Sequence, residues 1–281
     1  MNFGYLLIVN TDAEYDYLKM AYALALSIKN TQALGYDNVA LIINDKNKID
    51  TIKSPWVFDI VIEEEKLQSG WLGRSYMDSL SPFDHTVCLD VDMLFLRDYS
   101  HWIDYFIKNN DLYVTSQCFT YRGDKVTSDY YRKFYKNNQM PELYSMYTFF
   151  KKDSELTKSF FDMARSIIDH PKEFKNKFYK SGHNEIIGTD EAFSLSASIL
   201  DITDDISYDL EFPRIVHMKP MIQEWPWPAD SWSDHVGFYL NTRGNLKIGN
   251  FQQYDIVHYV EKNTITDELI SILEEIAWKK H

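Results

Sequence analysis

Short apolar runs alternate with amphipathic stretches through about residue 115, and this predicts repeated β/α units. Phe3 to Val9 reads as a buried strand, and Asn10-Thr11-Asp12 breaks it with turn and cap residues. A helix is expected from about Ala13 to Asn30, with Tyr17, Met20, Ala21, Leu24 and Ile28 on its buried face. After a loop containing Gly35, Val39 to Ile43 forms a second buried strand, so the first pair is parallel with a crossover helix. A weaker strand over Val57 to Ile62, a helix from about Leu72 to Leu80 and a strand from His85 to Leu96 follow. A helix near Tyr99 to Lys108 then leads to a strand at Leu112 to Thr115.

Beyond Phe119 the pattern changes. Phe119 to Glu142 is rich in Tyr, Lys, Arg and Asn and lacks periodicity, so it is either an excursion over a site or a surface loop. Tyr144 to Phe150 reads as an aromatic strand, with Asp153 capping a helix to about Ile168. Ser181-Gly182-His183 and Gly188-Thr189 bracket a loop, after which Thr189 or Asp190 caps a helix to Leu200. Arg214 to His217 is a short strand ending in histidine, and Met221 to Trp232 cannot be a regular helix. Asp267 to Lys279 is an amphipathic helix whose apolar residues, Leu269, Ile270, Leu273, Ile276 and Ala277, are expected to pack on the domain. No linker-like tract divides the chain. The expectation is one α/β domain over residues 1–281, with a central mixed, mostly parallel sheet flanked by helices.

The chemistry-bearing stretch is Cys88-Leu89-Asp90-Val91-Asp92-Met93-Leu94, two carboxylates between apolar runs. Buried carboxylates are costly unless paired or metal-bound. Side chains at i and i+2 of a strand leave on the same side, so both acids can face one point where a hard divalent cation offsets their desolvation. The plainer reading is a strand end with two solvated acids. The C-terminal edge of parallel strands is also where ligands bind in open α/β sheets.

A formal net charge of −13 disfavours non-specific binding to nucleic acid or anionic membranes. Lys125, Arg132, Lys133 and Lys136 are the basic cluster that keeps a nucleic-acid partner open. Cys88 and Cys118 offer neither a disulfide framework nor metal-ligand spacing, which suits a reducing, cytoplasmic setting. No apolar run approaches the length of a transmembrane helix.

The ordered set of motifs resembles the metal-dependent GT-A glycosyltransferases, most closely the glycogenin-like family 8 group. The set comprises Leu7-Ile8-Val9-Asn10-Thr11-Asp12, then Arg74, then Asp90-Val91-Asp92, then Asp190-Glu191, then His217-Met218-Lys219-Pro220. The resemblance implies a nucleotide-sugar-binding half over about residues 1–118 and an acceptor half over about 119–281. It implies Asp90, Asp92 and His217 as ligands of Mn²⁺ or Mg²⁺, which bridges the diphosphate of a nucleotide sugar, with UDP as the nucleotide. Lys219 would add charge to the same phosphates. Val9, Asn10, Thr11, Tyr15 and Val91 would line the donor side, with Tyr15 or Tyr17 stacking on the base, and Arg74 would reach phosphate or sugar. Asp190 and Glu191 would lie near the anomeric carbon, in a reaction that retains configuration.

Each residue also has an ordinary role. His217 could be a core histidine, Lys219 a surface lysine, Arg74 an ion-pair partner and Tyr15 helix packing. Asp190-Glu191 could simply open a helix, where acids suit the dipole. Trp225, Trp227 and Trp232 suit either an acceptor platform or core and lid packing. The sequence departs from the family at Tyr144-Ser145-Met146-Tyr147, where Asn-Ser-Gly is usual, at Glu191, where Gln is usual, and in the shortened His-Lys-Pro element. The acceptor is read only as a saccharide or another hydroxyl. Two other functions fit the bare Asp-x-Asp. One is a haloacid-dehalogenase-type phosphotransferase, although Leu94 occupies the place of its Thr or Val. The other is a non-catalytic sugar- or nucleotide-binding protein on the same fold.

Overall fold

The computed structural model describes residues 2–64, 67, 72–127, 132–180, 186–208, 213–223, 225 and 230–280. In chain order its elements are β1 (Phe3–Val9), α1 (Tyr17–Thr31), β2 (Val39–Ile43), β3 (Ile60–Glu63), α2 (Met77–Leu80), β4 (His85–Leu89) and β5 (Met93–Leu94). There follow α3 (Ser100–Asn109), β6 (Leu112–Thr115), α4 (Lys133–Asn138), β7 (Tyr144–Lys151), α5 (Glu155–Asp169), α6 (Pro171–Phe178), α7 (Thr189–Leu200) and α8 (Thr203–Ile206). The remainder is β8 (Ile215–His217), β9 (Phe238–Leu240), β10 (Leu246–Ile248), β11 (Phe251–Gln253), β12 (Ile256–His258) and α9 (Asp267–Lys280). The anticipated loop at Ser181-Gly182-His183 lies outside the described residues.

The main sheet has the order β3-β2-β1-β4-β7-β6. β1, β2, β3 and β4 are parallel, and β7 runs antiparallel to both of its neighbours. The expected mixed, mostly parallel sheet with helices on both faces is therefore observed. Alternation along the strands explains the two faces. Tyr5, Leu7 and Val9 of β1 join Leu24 and Ile28 of α1, Phe106 of α3 and Leu273 of α9 in one core. Leu6 and Ile8 face the other way, toward Phe160 and Phe161 of α5 and Phe193 of α7. Cys88 sits in this second core, and burial pushes both cysteine thiols up to about 12, so neither is a nucleophile at neutral pH.

Helix starts differ from the sequence reading by a few residues. The first helix begins at Tyr17 because the Asp16 carboxylate accepts from the Lys19 N–H and caps it there. The third strand begins at Ile60, since Pro55–Val57 forms a 3-10 turn instead. Leu72–Tyr76 is likewise 3-10, and only Met77–Leu80 is α-helical. The cap of α5 is Ser154 and not Asp153, with Ser154 Oγ accepting from the Leu156 and Thr157 N–H groups. The cap of α7 is Gly188, so Thr189 and Asp190 lie inside the first turn.

Two smaller sheets are built from the C-terminal third, one of them with β5 added. β9, β10 and β11 form an antiparallel meander, and β5, β12 and β8 form the second sheet. α9 packs on α1 and continues to Lys280, with Leu269, Leu273 and Ala277 buried, as its apolar stripe predicts. Glu274 is also buried there, accepting from Tyr22 Oη at 2.7 Å and paired with Lys53. Among the described residues no helix is long and apolar enough to cross a membrane.

The capping assignment is directly testable by urea unfolding. Ser154→Ala is expected to cost about 1 kcal/mol, whereas Asp153→Ala should leave the midpoint nearly unchanged; the reverse order would restore Asp153 as the cap.

Candidate active site

The chain does not run straight from His85 to Leu96 as one strand. β4 ends at Leu89, a bend carries Asp90-Val91-Asp92, and β5 resumes in a different sheet. Two backbone hydrogen bonds fix the bend. The Asp90 N–H donates to the Met146 carbonyl beyond β7 pairing (3.1 Å), and the Tyr259 N–H donates to the Asp92 carbonyl (3.0 Å). The two carboxylates are only 9 % and 4 % exposed as whole residues, yet both line one cavity of about 560 Å³. The sequence expectation of two acids facing one point is met by a bend and not by strand geometry.

His258 completes the cluster. Its Nε2 lies 3.2 Å from Asp92 Oδ1 and 3.6 Å from Asp90 Oδ2. Ligand atoms of Asp90, Asp92 and His258 fall within 4.8 Å of one another, close enough to hold one metal ion. His217, expected in this role, lies one strand farther away. β12 pairs antiparallel with β5 and parallel with β8, with His258 in register with both Met93 and His217. Neighbouring strands are about 4.8 Å apart, so the β12 histidine stands nearer the Asp-bearing bend and is the one grouped with both carboxylates. His217 still lines the cavity, and its Nδ1 is 3.1 Å from His258 Nδ1.

This contact has a chemical consequence. Burial, with the charges of His258 and Lys219 adding to it, holds the His217 pKa well below the usual histidine value. A neutral His217 can accept at Nδ1. A hydrogen bond from His258 Nδ1 to it leaves the His258 Nε2 edge facing the carboxylates, the edge that would hold a metal ion there.

Cations surround the acids. Arg74 pairs with Asp90 and donates from Nη1 to Ser145 Oγ at 3.2 Å. Lys262 Nζ lies 2.5 Å from Asp92 Oδ2 and 5.5 Å from the centre of the Tyr17 ring. Burial pushes Asp90 above the usual carboxylate range, outweighing Arg74 and His258. Burial acts the same way on Asp92, but His258 and Lys262 prevail and hold it well below that range. Burial also lowers Lys219.

Asp190 enters from the first turn of α7. Its Oδ1 accepts from the Ser145 N–H (2.8 Å) and Ser145 Oγ (2.6 Å), and its Oδ2 accepts from Arg132 Nη2 (2.8 Å). Desolvation in the recess raises its pKa, but Arg132 and Ser145 outweigh it, and the net shift is downward. Glu191 turns elsewhere: Tyr179 Oη donates to it at 3.3 Å, and burial raises its pKa.

Of the residues singled out from sequence, Asn10, Arg74, Asp90, Val91, Asp92, Asp190, His217 and Lys219 line this cavity. Others do not. Val9 is buried in β1 beneath it, and Thr11 is tied by its N–H and Oγ1 to Asn44 Oδ1. Tyr15 faces a neighbouring recess, and Tyr17 takes the place beside the cavity. Trp232 is core: it is 1 % exposed and donates from Nε1 to the Tyr259 carbonyl at 2.6 Å. Trp225 is half-buried between Tyr121 and His235, and Trp227 lies outside the described residues.

Sequence reasoning missed His258, Lys262, Val260 and Met146. A signal was available: Ile-Val-His occurs twice, at Ile215-Val216-His217 and Ile256-Val257-His258, and the two copies pair residue for residue. Val260, on the cavity wall, has a φ of 66°, a left-handed conformation that is costly for a β-branched residue and recurs at functional sites.

No protein-family profile and no curated protein matches the chain in sequence. Solved structures do match in three dimensions. The chain is similar to mouse xyloside xylosyltransferase 1 in its apo form, with 10 % identity, a TM-score of 0.53, and 84 % of this chain and 90 % of that one covered. It is also similar to the apo glycosyltransferase GlyE of Streptococcus pneumoniae TIGR4, at 11 % identity and a TM-score of 0.50, covering 99 % of this chain and 60 % of GlyE. The bifunctional glycosyltransferase WbbM matches at 11 % identity and a TM-score of 0.51, over 98 % of this chain and 50 % of WbbM. The chain thus spans 60 % and 50 % of the length of the last two. What it shares with all three is the fold.

Proposed function

We propose that the protein is a metal-dependent glycosyltransferase that moves a sugar from a nucleotide donor, UDP by family resemblance, to a hydroxyl acceptor with retention of configuration. One observation carries this reading: Asp90, Asp92 and His258 converge beside Arg74, Lys219, Lys262 and Asp190 in one cavity at the C-terminal edge of the parallel strands. Glycosyltransferase folds among the structural matches support it.

The residues fit a divalent ion. Two carboxylates and an imidazole form an O, O, N set suited to Mn²⁺ or Mg²⁺ with open positions for phosphate. Ammonium and guanidinium groups on both carboxylates mark this spot as one that requires positive charge. A bound ion would neutralise charge growing on the departing diphosphate.

The chain's own residues do the rest. Lys219 and Lys262 offer point charges to the phosphates, and Tyr17 and Asn10 offer a flank for the nucleoside. Asp190, ionised and held on both oxygens, opposes positive charge that develops at the anomeric carbon. A carboxylate already accepting three hydrogen bonds is a poor base. The acceptor proton is therefore assigned to the departing phosphate oxygen as the anomeric C–O bond breaks and the new one forms on the same face.

Thermal unfolding with UDP and Mn²⁺ together is expected to raise Tm by several degrees, because ligand at 100 times its Kd stabilises by about 2.7 kcal/mol. The shift should disappear with EDTA and in Asp92→Asn. His258→Ala should abolish it too, while His217→Ala should weaken Mn²⁺ binding about 10–100-fold, as expected for a partner that orients a ligand. If His217→Ala is the more damaging of the two, the assignment of the histidines must be exchanged. Absence of any shift with a panel of nucleoside diphosphates and nucleotide sugars would favour a non-catalytic role.

A further inference from the structure

Arg132 reads in sequence as part of a basic cluster with Lys125, Lys133 and Lys136. Those three lysines are exposed, but the Arg132 side chain is only 8 % exposed. Its backbone is left-handed (φ 58°, ψ 36°), an uncommon conformation for a non-glycine residue. Its guanidinium lies 4.2 Å from the ring centres of both Tyr135 and Tyr144. It donates to the Leu143 carbonyl (2.9 Å), to Tyr135 Oη (2.6 Å) and to Asp190 Oδ2 (2.8 Å). The stacking faces and two of these acceptors fix the guanidinium plane, and the third bond transmits that orientation to Asp190.

We propose that Arg132 is a positioning residue that holds the Asp190 carboxylate in one orientation over the sugar end of the cavity. Its loss impairs sugar transfer and leaves the nucleotide and metal end intact. This rests on the glycosyltransferase reading. The geometry supports the division of labour. Arg132 and Ser145 between them engage both oxygens of Asp190, while Asp90 and Asp92 take their partners from Arg74, His258 and Lys262. A simple brace between α4 and β7 would need only the Leu143 and Tyr135 bonds. The other charged and titratable groups that act on Asp190 or adjoin it are Arg74 from the turn before α2, Asp90 from the bend, Tyr135 on α4, Tyr144 on β7, Lys219 after β8 and Glu191 on its own helix.

The test uses the full chain with carboxyl-¹³C-labelled aspartate, the Asp190 resonance being assigned through Asp190→Asn. In the wild type Asp190 should titrate below the usual carboxylate range. In Arg132→Met its titration should move up, and in Arg132→Lys, which keeps charge but not the fork, it should lie between. The sign follows from linkage: the stabilisation tied to the depressed pKa is present above the unfolded carboxylate pKa and is lost as pH falls through the folded value. Arg132→Met should also lower kcat for hydrolysis of a UDP-sugar about 10²-fold, the order expected for misplacing a group at the reacting centre. KM should change little, and the Mn²⁺-dependent UDP shift in Tm should remain.

An unchanged Asp190 titration in Arg132→Met would overturn the proposal, as would loss of the UDP shift together with turnover. If the wild type binds no nucleotide, the glycosyltransferase reading fails separately, and the titration still decides whether Arg132 sets Asp190. Should Arg132→Met not fold, Arg132→Lys carries the same readings.

Discussion

The structure turns on a break in one strand. Between Leu89 and Met93 the chain leaves the six-stranded sheet and enters a three-stranded one, and the bend is held by a backbone hydrogen bond from each side. An unpaired buried amide or carbonyl is costly, so the bend is stable only because Met146 and Tyr259 supply partners. The antiparallel β7 brings Tyr144, Ser145 and Met146 to one flank. β12 brings His258 to the other, and the turn that follows it brings Lys262. Asp90 and Asp92 are buried together because these two strands meet there.

Charge at the site is set locally and owes little to the whole molecule. The chain carries a net −13, yet Asp90, Asp92 and Asp190 are each matched by a cation, Arg74, Lys262 and Arg132 in turn. Matched pairs in a low-dielectric recess interact far more strongly than exposed ones. The overall negative field therefore says more about which partners the surface discourages than about which phosphates the cavity accepts.

Much of the fold was legible from local pattern. β1, β2 and β6 begin and end where their apolar runs do, since burial on both faces makes a strand continuous in hydrophobicity. Helix starts were less legible, because competing caps such as Asp153 and Ser154 differ only in which side chain reaches the backbone. Asp90 and Asp92 could be found from spacing. His258 could not, because its place beside the carboxylates depends on strand pairing across more than 150 residues, and the lysine-proline after His217 drew attention to the other copy of Ile-Val-His. Local pattern left Trp232 open between core and sugar platform and grouped Arg132 with three lysines, and only tertiary contacts, which bury both side chains, separate them.

The ion pair between Lys262 and Asp92 joins residues 170 positions apart. Contacts of that span form late, because the intervening chain must be ordered before closure is rewarded. A form of the chain with the β1–β4 core complete and β12 undocked would already bury most of its apolar strands. Such a species would resemble the native protein in secondary structure and lack both histidines at the cavity. Competence to bind at this cavity then depends on β12 being docked and not on secondary structure alone.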